Sequence, residues 1–319
     1  MKIVVTGAAG FLGSQVITEL LKRKDAGASP IPFDTICAVD LVETSVRDPR
    51  VTSMVGDLSD AEFTASIIDS EVVGIYHLAA VLSGGSEENF DLAMAVNVDG
   101  TRNLLEATRS SGGVPRFIFT SSLAVFGGTI PDIVSPFFAT QPDSTYGAFK
   151  AVGEILVNEY SRKGFIDGRI CRLPTISVRP GKPNSAASSF ASGIIREPLN
   201  GLESICPVPH ETAMWLSSPR VVVTNLIHAL SLPAESLGTW RGLNLPGITV
   251  TVDQMLASLE TVAGTEARAL VRDEFSKPIM DIVCSWPAAF DVQSTLDLGF
   301  VRDTSFDEMV RQYRDDYVK

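Results

Sequence analysis

Three glycines, Gly7, Gly10 and Gly13, stand between a strand-like run, Lys2–Thr6, and an amphipathic run, Phe11–Lys22. This junction constrains the fold more than any other feature of the chain. In Thr6-Gly7-Ala8-Ala9-Gly10-Phe11-Leu12-Gly13 the first glycine permits a tight turn. The second lets backbone approach a pyrophosphate, and the third allows a helix to pack closely on a sheet. The helix that follows offers free N–H groups and a partial positive charge to phosphate. The Gly-x-x-Gly-x-x-Gly spacing is looser than the common dinucleotide fingerprint, and glycines elsewhere simply mark turns. Its place at the first strand–helix junction is what makes it a dinucleotide signal.

Further strands are predicted at Thr35–Asp40, Val51–Val55, Val72–Leu78, Arg116–Ser121 and Arg169–Leu173. Long helices are predicted near Glu87–Ser110 and Thr145–Lys163, and Ser59-Asp60-Ala61-Glu62 has the capping-box pattern. This alternation predicts an α/β fold, a doubly wound (Rossmann) sheet of six or seven parallel strands. After Leu173 the alternation decays, and Pro174–Asn184, with three prolines, reads as a loop leaving the sheet. Later helices are signalled by the capping patterns Thr251–Gln254 and Ser305–Glu308. The expected division is a dinucleotide-binding domain, 1–173 plus about 217–247. A smaller, mixed α/β C-terminal substrate domain takes 174–216 and 248–319.

A net charge of −12 repels phosphate backbones and anionic lipid, so neither nucleic acid nor a membrane surface is an expected partner. Met1 runs straight into the first strand, and no apolar run approaches the ~20 residues of a membrane span, which points to a cytoplasmic protein. Cys37, Cys171, Cys206 and Cys284 lie far apart and are expected to be reduced and buried in or beside strands. His77, His210 and His228 have no ligand spacing, so no metal site is expected. Trp215, Trp240 and Trp286 read as core rather than ligand platforms.

Asp40 closes the second strand, where a carboxylate would accept hydrogen bonds from an adenosine ribose and repel the extra phosphate of NADP. No Arg or Lys follows it in Leu41-Val42-Glu43, so NAD is the expected cofactor; otherwise Asp40 is a solvated strand end. Asp57-Leu58 would flank the adenine, though Asp57 is equally a turn residue. Leu78, Ala79 and Ala80 end the fourth strand with side chains small enough for backbone to approach a cofactor, or merely to pack closely.

Tyr146 and Lys150 lie four apart on one face of a predicted helix. A phenol titrates near ~10, and lowering it by about three units takes about 4 kcal/mol, which one cation at ~4 Å in a partly screened site can supply. Lys150 is the candidate cation and the nicotinamide ring of NAD⁺ a second, so that the phenolate takes a hydroxyl proton as hydride leaves the same carbon. Tyr-x-x-x-Lys alone is weak evidence; its context is Ser122, which follows a strand at the ligand-binding edge and would orient the reacting oxygen. Taken alone, the serines are turn formers.

With these residues in place the sequence resembles the extended short-chain dehydrogenase/reductases. The resemblance rests on the Gly7/Gly10/Gly13 turn, Asp40, Asp57-Leu58, Leu78-Ala79-Ala80, Asn97-Val98-Asp99-Gly100-Thr101, Ser122 and Tyr146/Lys150, in the family's order. It implies Tyr146 as general acid/base, Ser122 as its partner and Lys150 also on the nicotinamide ribose. It places Phe11, Leu12, Asn97 and Pro174 with the cofactor-binding residues, although a helical Asn is also an ordinary kink or cap. The two long helices resemble those that pair family members into homodimers.

Within the family, dehydratases carry an Asp-Glu pair after the catalytic hydroxyl residue, where this chain has Leu123-Ala124. Nucleotide-sugar epimerases often place an Asn after the sixth strand, where this chain has Thr175. The epimerase reading stays open because Arg179, Lys182, Arg196 and Arg220 would hold phosphates, each being otherwise a solvated charge. The texture of Val81–Gly85, Tyr146–Glu154 and Leu173–Pro183 is similar to the D-erythronate dehydrogenase subgroup, which oxidises a four-carbon sugar acid beside its carboxylate. Ser83, Thr175 and Arg179 would then anchor that carboxylate. A non-catalytic NAD-binding sensor is the third reading, disfavoured because Ser122, Tyr146 and Lys150 are all present.

Overall fold

The computed structural model of the chain describes residues 1–181 and 186–318. Strand β1 (Lys2–Thr6) is the centre of the molecule: Ile3, Val4, Val5 and Thr6 are fully buried, as a strand covered on both faces must be. Around it lie β2 (Thr35–Asp40), β3 (Val51–Val55), β4 (Val72–His77), β5 (Arg116–Ser122) and β6 (Asp167–Leu173), with Gly242–Asn244 as the far edge. The order is Gly242–Asn244, β6, β5, β4, β1, β2, β3, every pair parallel. Chain order reverses between β1 and β4, which opens a crevice at the carboxyl ends of the strands.

Helices cover both faces. Val16, Ile17 and Leu20 of the helix Phe11–Asp25 pack with Val222, Leu226 and Leu230 of Pro219–Ser231 on one side. On the other, Ile67, Leu104, Leu105 and Val157 close over Val4, Ile75 and Phe117. A second core gathers Ile194, Ile195, Met214, Leu216, Met255, Leu259 and Val310. It surrounds a three-stranded sheet in the order Ile248–Thr251, Ala213–Ser217, Thr175–Ile176, and a two-stranded one, Ser204–Cys206 with Val271–Asp273. Among the described residues no helix is long and apolar enough to cross a membrane.

Several expectations are corrected. Glu87–Ser110 is not one helix: it starts earlier and breaks into Ser83–Glu88, Phe90–Ala93, a π-helical turn Met94–Asp99 and Gly100–Ser110. The break falls at Asn89, whose side chain accepts from the Leu92 N–H at 3.0 Å and so caps a new helix. Asp60, not Ser59, caps the helix Ala61–Ile67, because its carboxylate reaches both Glu62 and Phe63 N–H groups. Thr175–Ile176, expected in a loop, pairs with Ala213–Ser217. Of the cysteines, Cys284 is exposed rather than buried.

Candidate active site

At the switch point lies a cleft of about 580 Å³. Gly7 adopts φ +70°, and a Cβ there would stand 2.8 Å from the Ala79 nitrogen. A Cβ on Gly13 would stand 2.1 Å from the Gly7 carbonyl oxygen, so helix and turn meet only because both residues are glycine. Gly10 is the N-cap of Phe11–Asp25 and brings no side chain to the first-turn N–H groups, which leaves them for a ligand. Gly7, Gly10, Phe11, Leu12 and Gly13 all line the cleft. The cradle therefore fits a dinucleotide pyrophosphate.

Asp40 lines the same cleft and is tied down: one oxygen accepts from the Ala9 N–H at 2.9 Å, the other from Leu41 N–H at 2.7 Å. Its carboxylate is thus tied to the glycine turn while staying part-exposed. Asp57 accepts from Ser59 N–H at 2.9 Å as a turn residue, and it lines the cleft next to the buried Leu58. Leu78, Ala79, Ala80 and Pro174 complete this wall.

Behind Leu78 and Ala79 runs a buried chain of hydrogen bonds whose direction can be worked out. The Thr101 hydroxyl donates to the Asn97 carbonyl at 2.7 Å, so it accepts from His77 Nε2 at 2.8 Å. His77 Nδ1 then accepts from the Thr6 hydroxyl at 2.8 Å, whose oxygen accepts from the Leu78 and Ala79 N–H groups at 3.2 and 3.3 Å. Burial, with the Lys150 charge adding to it, pushes the imidazole down to about 3 and keeps it neutral, as this arrangement requires. Asn97 does not line the cleft; its side chain accepts from Val81 N–H at 2.8 Å and donates to Val81 O at 3.1 Å. It holds the loop after β4 from the π-helical turn.

Tyr146 opens the helix Thr145–Arg162, capped by Ser144, whose hydroxyl accepts from Gly147 N–H at 3.1 Å. A Cβ on Gly147 would meet the Ala124 carbonyl oxygen at 1.9 Å, so the helix end rests directly on the turn that follows Ser122. That approach places the phenol beside the Ser122 hydroxyl, and both line the cleft. Lys150 is buried, its Nζ donating to Thr120 O at 2.8 Å and lying 5.7 Å from the centre of the Tyr146 ring.

The electrostatic outcome differs from expectation. Although the ring keeps an edge open to the cleft, burial pushes the Tyr146 phenol up to about 12, and Ser122 only partly offsets this. Burial also brings Lys150 down to about 8, against the pull of Glu154. Glu154 continues the ridge of Tyr146 and Lys150 one turn further and is itself buried. It accepts from the Ser121 hydroxyl at 2.6 Å and from Arg172 through two bonds of 2.8 and 2.7 Å.

Of the substrate candidates, Ser83, Thr175 and Arg179 line the cleft. Ser83 is buried and accepts from Ala187 N–H at 3.2 Å, joining the loop after β4 to the second core. Arg179 Nε is buried with no hydrogen-bond partner, and burial together with Arg196 lowers the basicity of its guanidinium. Arg196 is spent elsewhere, on Arg179 O at 3.0 Å and Glu197 at 2.6 Å; Arg220 pairs with Asp316 in a separate groove. Lys182 lies outside the described residues. Sequence reasoning missed Thr120, Ser121, Leu82, Ser188 and Trp286, all of which line the cleft. Thr120 and Ser121 share a strand with Ser122 and were within reach. Trp286, read as core, has no local signal.

The chain matches the NAD dependent epimerase/dehydratase family over residues 3–215. It is 48% identical to the D-erythronate dehydrogenase of Cupriavidus necator, covering 99% of this chain and 98% of that protein. It is 44% identical to the D-erythronate dehydrogenase of Haemophilus influenzae, covering 98% of each. Among solved structures, a nucleoside-diphosphate-sugar epimerase from Agrobacterium tumefaciens superposes with TM-score 0.94 at 38% identity, over 100% of this chain and 94% of that one.

Proposed function

The chain belongs to the NAD-dependent epimerase/dehydratase family, the extended short-chain dehydrogenase/reductases, and on that premise we propose that it oxidises a small sugar acid with NAD⁺. The substrate is a four-carbon aldonate of the D-erythronate type, oxidised at C2 to the 2-oxo acid. The observation that carries this reading is the cleft itself, which holds the glycine cradle, the Ser122–Tyr146 pair and one cation with an unpartnered nitrogen, Arg179.

Bound at the cradle, NAD⁺ supplies the hydride acceptor and, on its ring, a positive charge. Ser122 orients the C2 hydroxyl, and Tyr146 removes its proton. Lys150, whose Nζ donates to Thr120 O, would favour the phenolate and help to hold the nicotinamide ribose. Arg179, with Ser83 and Thr175 lining the same cleft, anchors the carboxylate. Asp40 meets the adenosine ribose and excludes an extra phosphate, so NAD is used over NADP; equal affinities in a titration overturn that point. Residues 1–173 with about 217–247 bind the cofactor, and 174–216 with 248–319 shape the substrate end.

One cation at the substrate end, among the described residues, suits a single carboxylate better than the diphosphate of a nucleotide sugar. The epimerase alternative has its support in the Agrobacterium structure's name. A panel of D-erythronate, L-threonate and UDP-sugars with NAD⁺, followed at the NADH absorbance, separates the two. NADH formed from D-erythronate supports the dehydrogenase; conversion of UDP-sugars alone, without net NADH, sinks it. Replacing Arg179 by Met is expected to raise KM for the acid about ten- to hundredfold with kcat little changed. A KM within about twofold of the wild type removes Arg179 from the anchor.

The same reading includes a homodimer, supported by Val152 and Ile155, which are exposed on the helix Thr145–Arg162. Light scattering at micromolar concentration that returns a monomer rules it out.

A further inference from the structure

Linear spacing gives His210 no metal-ligand pattern, but the register of the second domain's small sheet does. Ser204–Cys206 and Val271–Asp273 run parallel with Cys206 and Asp273 as partners, and the turn after Cys206 brings His210 back over them. The Cys206 thiol, a His210 ring nitrogen and an Asp273 carboxylate oxygen all lie within 4.8 Å of one another, His210 Nε2 and Asp273 Oδ1 being 2.8 Å apart. We propose that these three side chains form a site for a divalent transition metal of the zinc type, separate from the cleft.

In the metal-free protein the Cys206 thiol donates to Val208 O at 3.3 Å, and an ion would displace that proton to give a thiolate, an imidazole and a carboxylate, a borderline set that suits zinc and leaves one tetrahedral position for water. Zinc bonds of ~2.0–2.3 Å put tetrahedral donors roughly 3.3–3.5 Å apart. The histidine and carboxylate therefore separate by a fraction of an ångström and the sulfur moves in by little more than one. The sulfur is at the floor, fully buried, while the His210 and Asp273 side chains are 29% and 50% exposed, so an ion enters from solvent.

The backbone is already fixed on every side. Glu274 N–H donates to Cys206 O at 3.1 Å, Ser276 N–H to Pro207 O at 2.9 Å and Asp253 N–H to His210 O at 2.9 Å. Pro207 and Pro209 stiffen the turn between the cysteine and the histidine. The position has a consequence for the molecule. Asp273 leads through Ser276 into the helix Lys277–Val283, and Trp286 follows to line the cleft. An ion held here staples the root of the arm that carries the tryptophan.

The test uses the full-length, untagged protein, stripped with a chelator and titrated with zinc chloride by equilibrium dialysis, with cobalt(II) as a spectroscopic probe. Expected are one zinc per chain at micromolar free metal, a cobalt–thiolate charge-transfer band and a higher Tm with zinc than without. His210→Ala is expected to weaken zinc binding at least about tenfold and Cys206→Ser to abolish the cobalt band. Both retain NADH formation, since neither residue lines the cleft. Should Cys206→Ser fail to fold, the partly exposed His210→Ala decides the matter. No zinc bound by the wild type, or zinc bound equally by His210→Ala, overturns the proposal.

Discussion

Tyr146→Phe is expected to lower kcat for alcohol oxidation by roughly 10²- to 10⁴-fold while leaving NADH binding intact. That loss corresponds to about 3–5 kcal/mol of transition-state stabilisation. The substitution removes one oxygen and keeps the ring, so the helix end resting against Ala124 and the wall of the cleft survive. Only the proposed proton acceptor is gone. The wild type carries a second signature, because burial holds the phenol up at about 12 in the free cleft. A base must lose its proton before it acts, so oxidation by the wild type accelerates as pH rises toward the phenol's value in the complex. The residual activity of Tyr146→Phe lacks that dependence. Steady-state kinetics across pH, with NADH binding followed by fluorescence, checks both. Retention of wild-type kcat by the phenylalanine variant removes Tyr146 from the chemistry.

The second large effect is on stability. Arg172→Met is expected to destabilise the fold by about 3–5 kcal/mol and to lower Tm by roughly 5–15 °C. Arg172 and Glu154 are both buried, joined by two charge-assisted bonds, with Arg172 also reaching Asn244 at 3.3 Å and stacking 4.8 Å from the Phe126 ring. Removing the guanidinium leaves a carboxylate in the interior with the Ser121 hydroxyl as its remaining hydrogen-bond partner and the Lys150 charge one turn away. The cost is that of a stranded charge, not of the pair's own attraction, which burial largely cancels. The double variant Arg172→Met/Glu154→Leu is therefore expected to recover most of the loss. Calorimetry on the singles and the double decides it: a single variant melting with the wild type means the pair is not stranded by the change. The network begins at Ser121 and Glu154, beside Ser122 and Lys150, so the stable part of the fold and the candidate site share a floor.

The legibility of the chain divides by distance along it. Lys2–Thr6 and Thr35–Asp40 were placed to the residue, because a strand buried on both faces reads as an apolar run bounded by polar and turn residues; Val51–Val55, part-exposed at the sheet edge, was placed on its β-branched residues and the turn residues around it. The glycine turn was readable because the steric demand of a tight, close approach falls on residues only three apart. Tyr146 and Lys150 were readable because one helical turn puts them on one face. Where local propensity competed with a tertiary partner, the reading failed. Asn89 looked like one more residue of a long helix until its side chain capped a new one. Thr175–Ile176 looked like loop because its partner strand lies some forty residues on. Trp286 looked like core because nothing nearby in the chain announces a cleft.

The sequence by itself determined the doubly wound sheet, the close glycine turn and the one-turn spacing of Tyr146 and Lys150, since each follows from periodicity or sterics within a few residues. Tertiary structure alone decided the rest. It turned Asn97 inward onto Val81, left Arg179 Nε without a partner, pushed the phenol up instead of down, and drew Cys206, His210 and Asp273 together. Each of these depends on which distant groups exclude water from a side chain or approach it, and that is settled only when the elements pack.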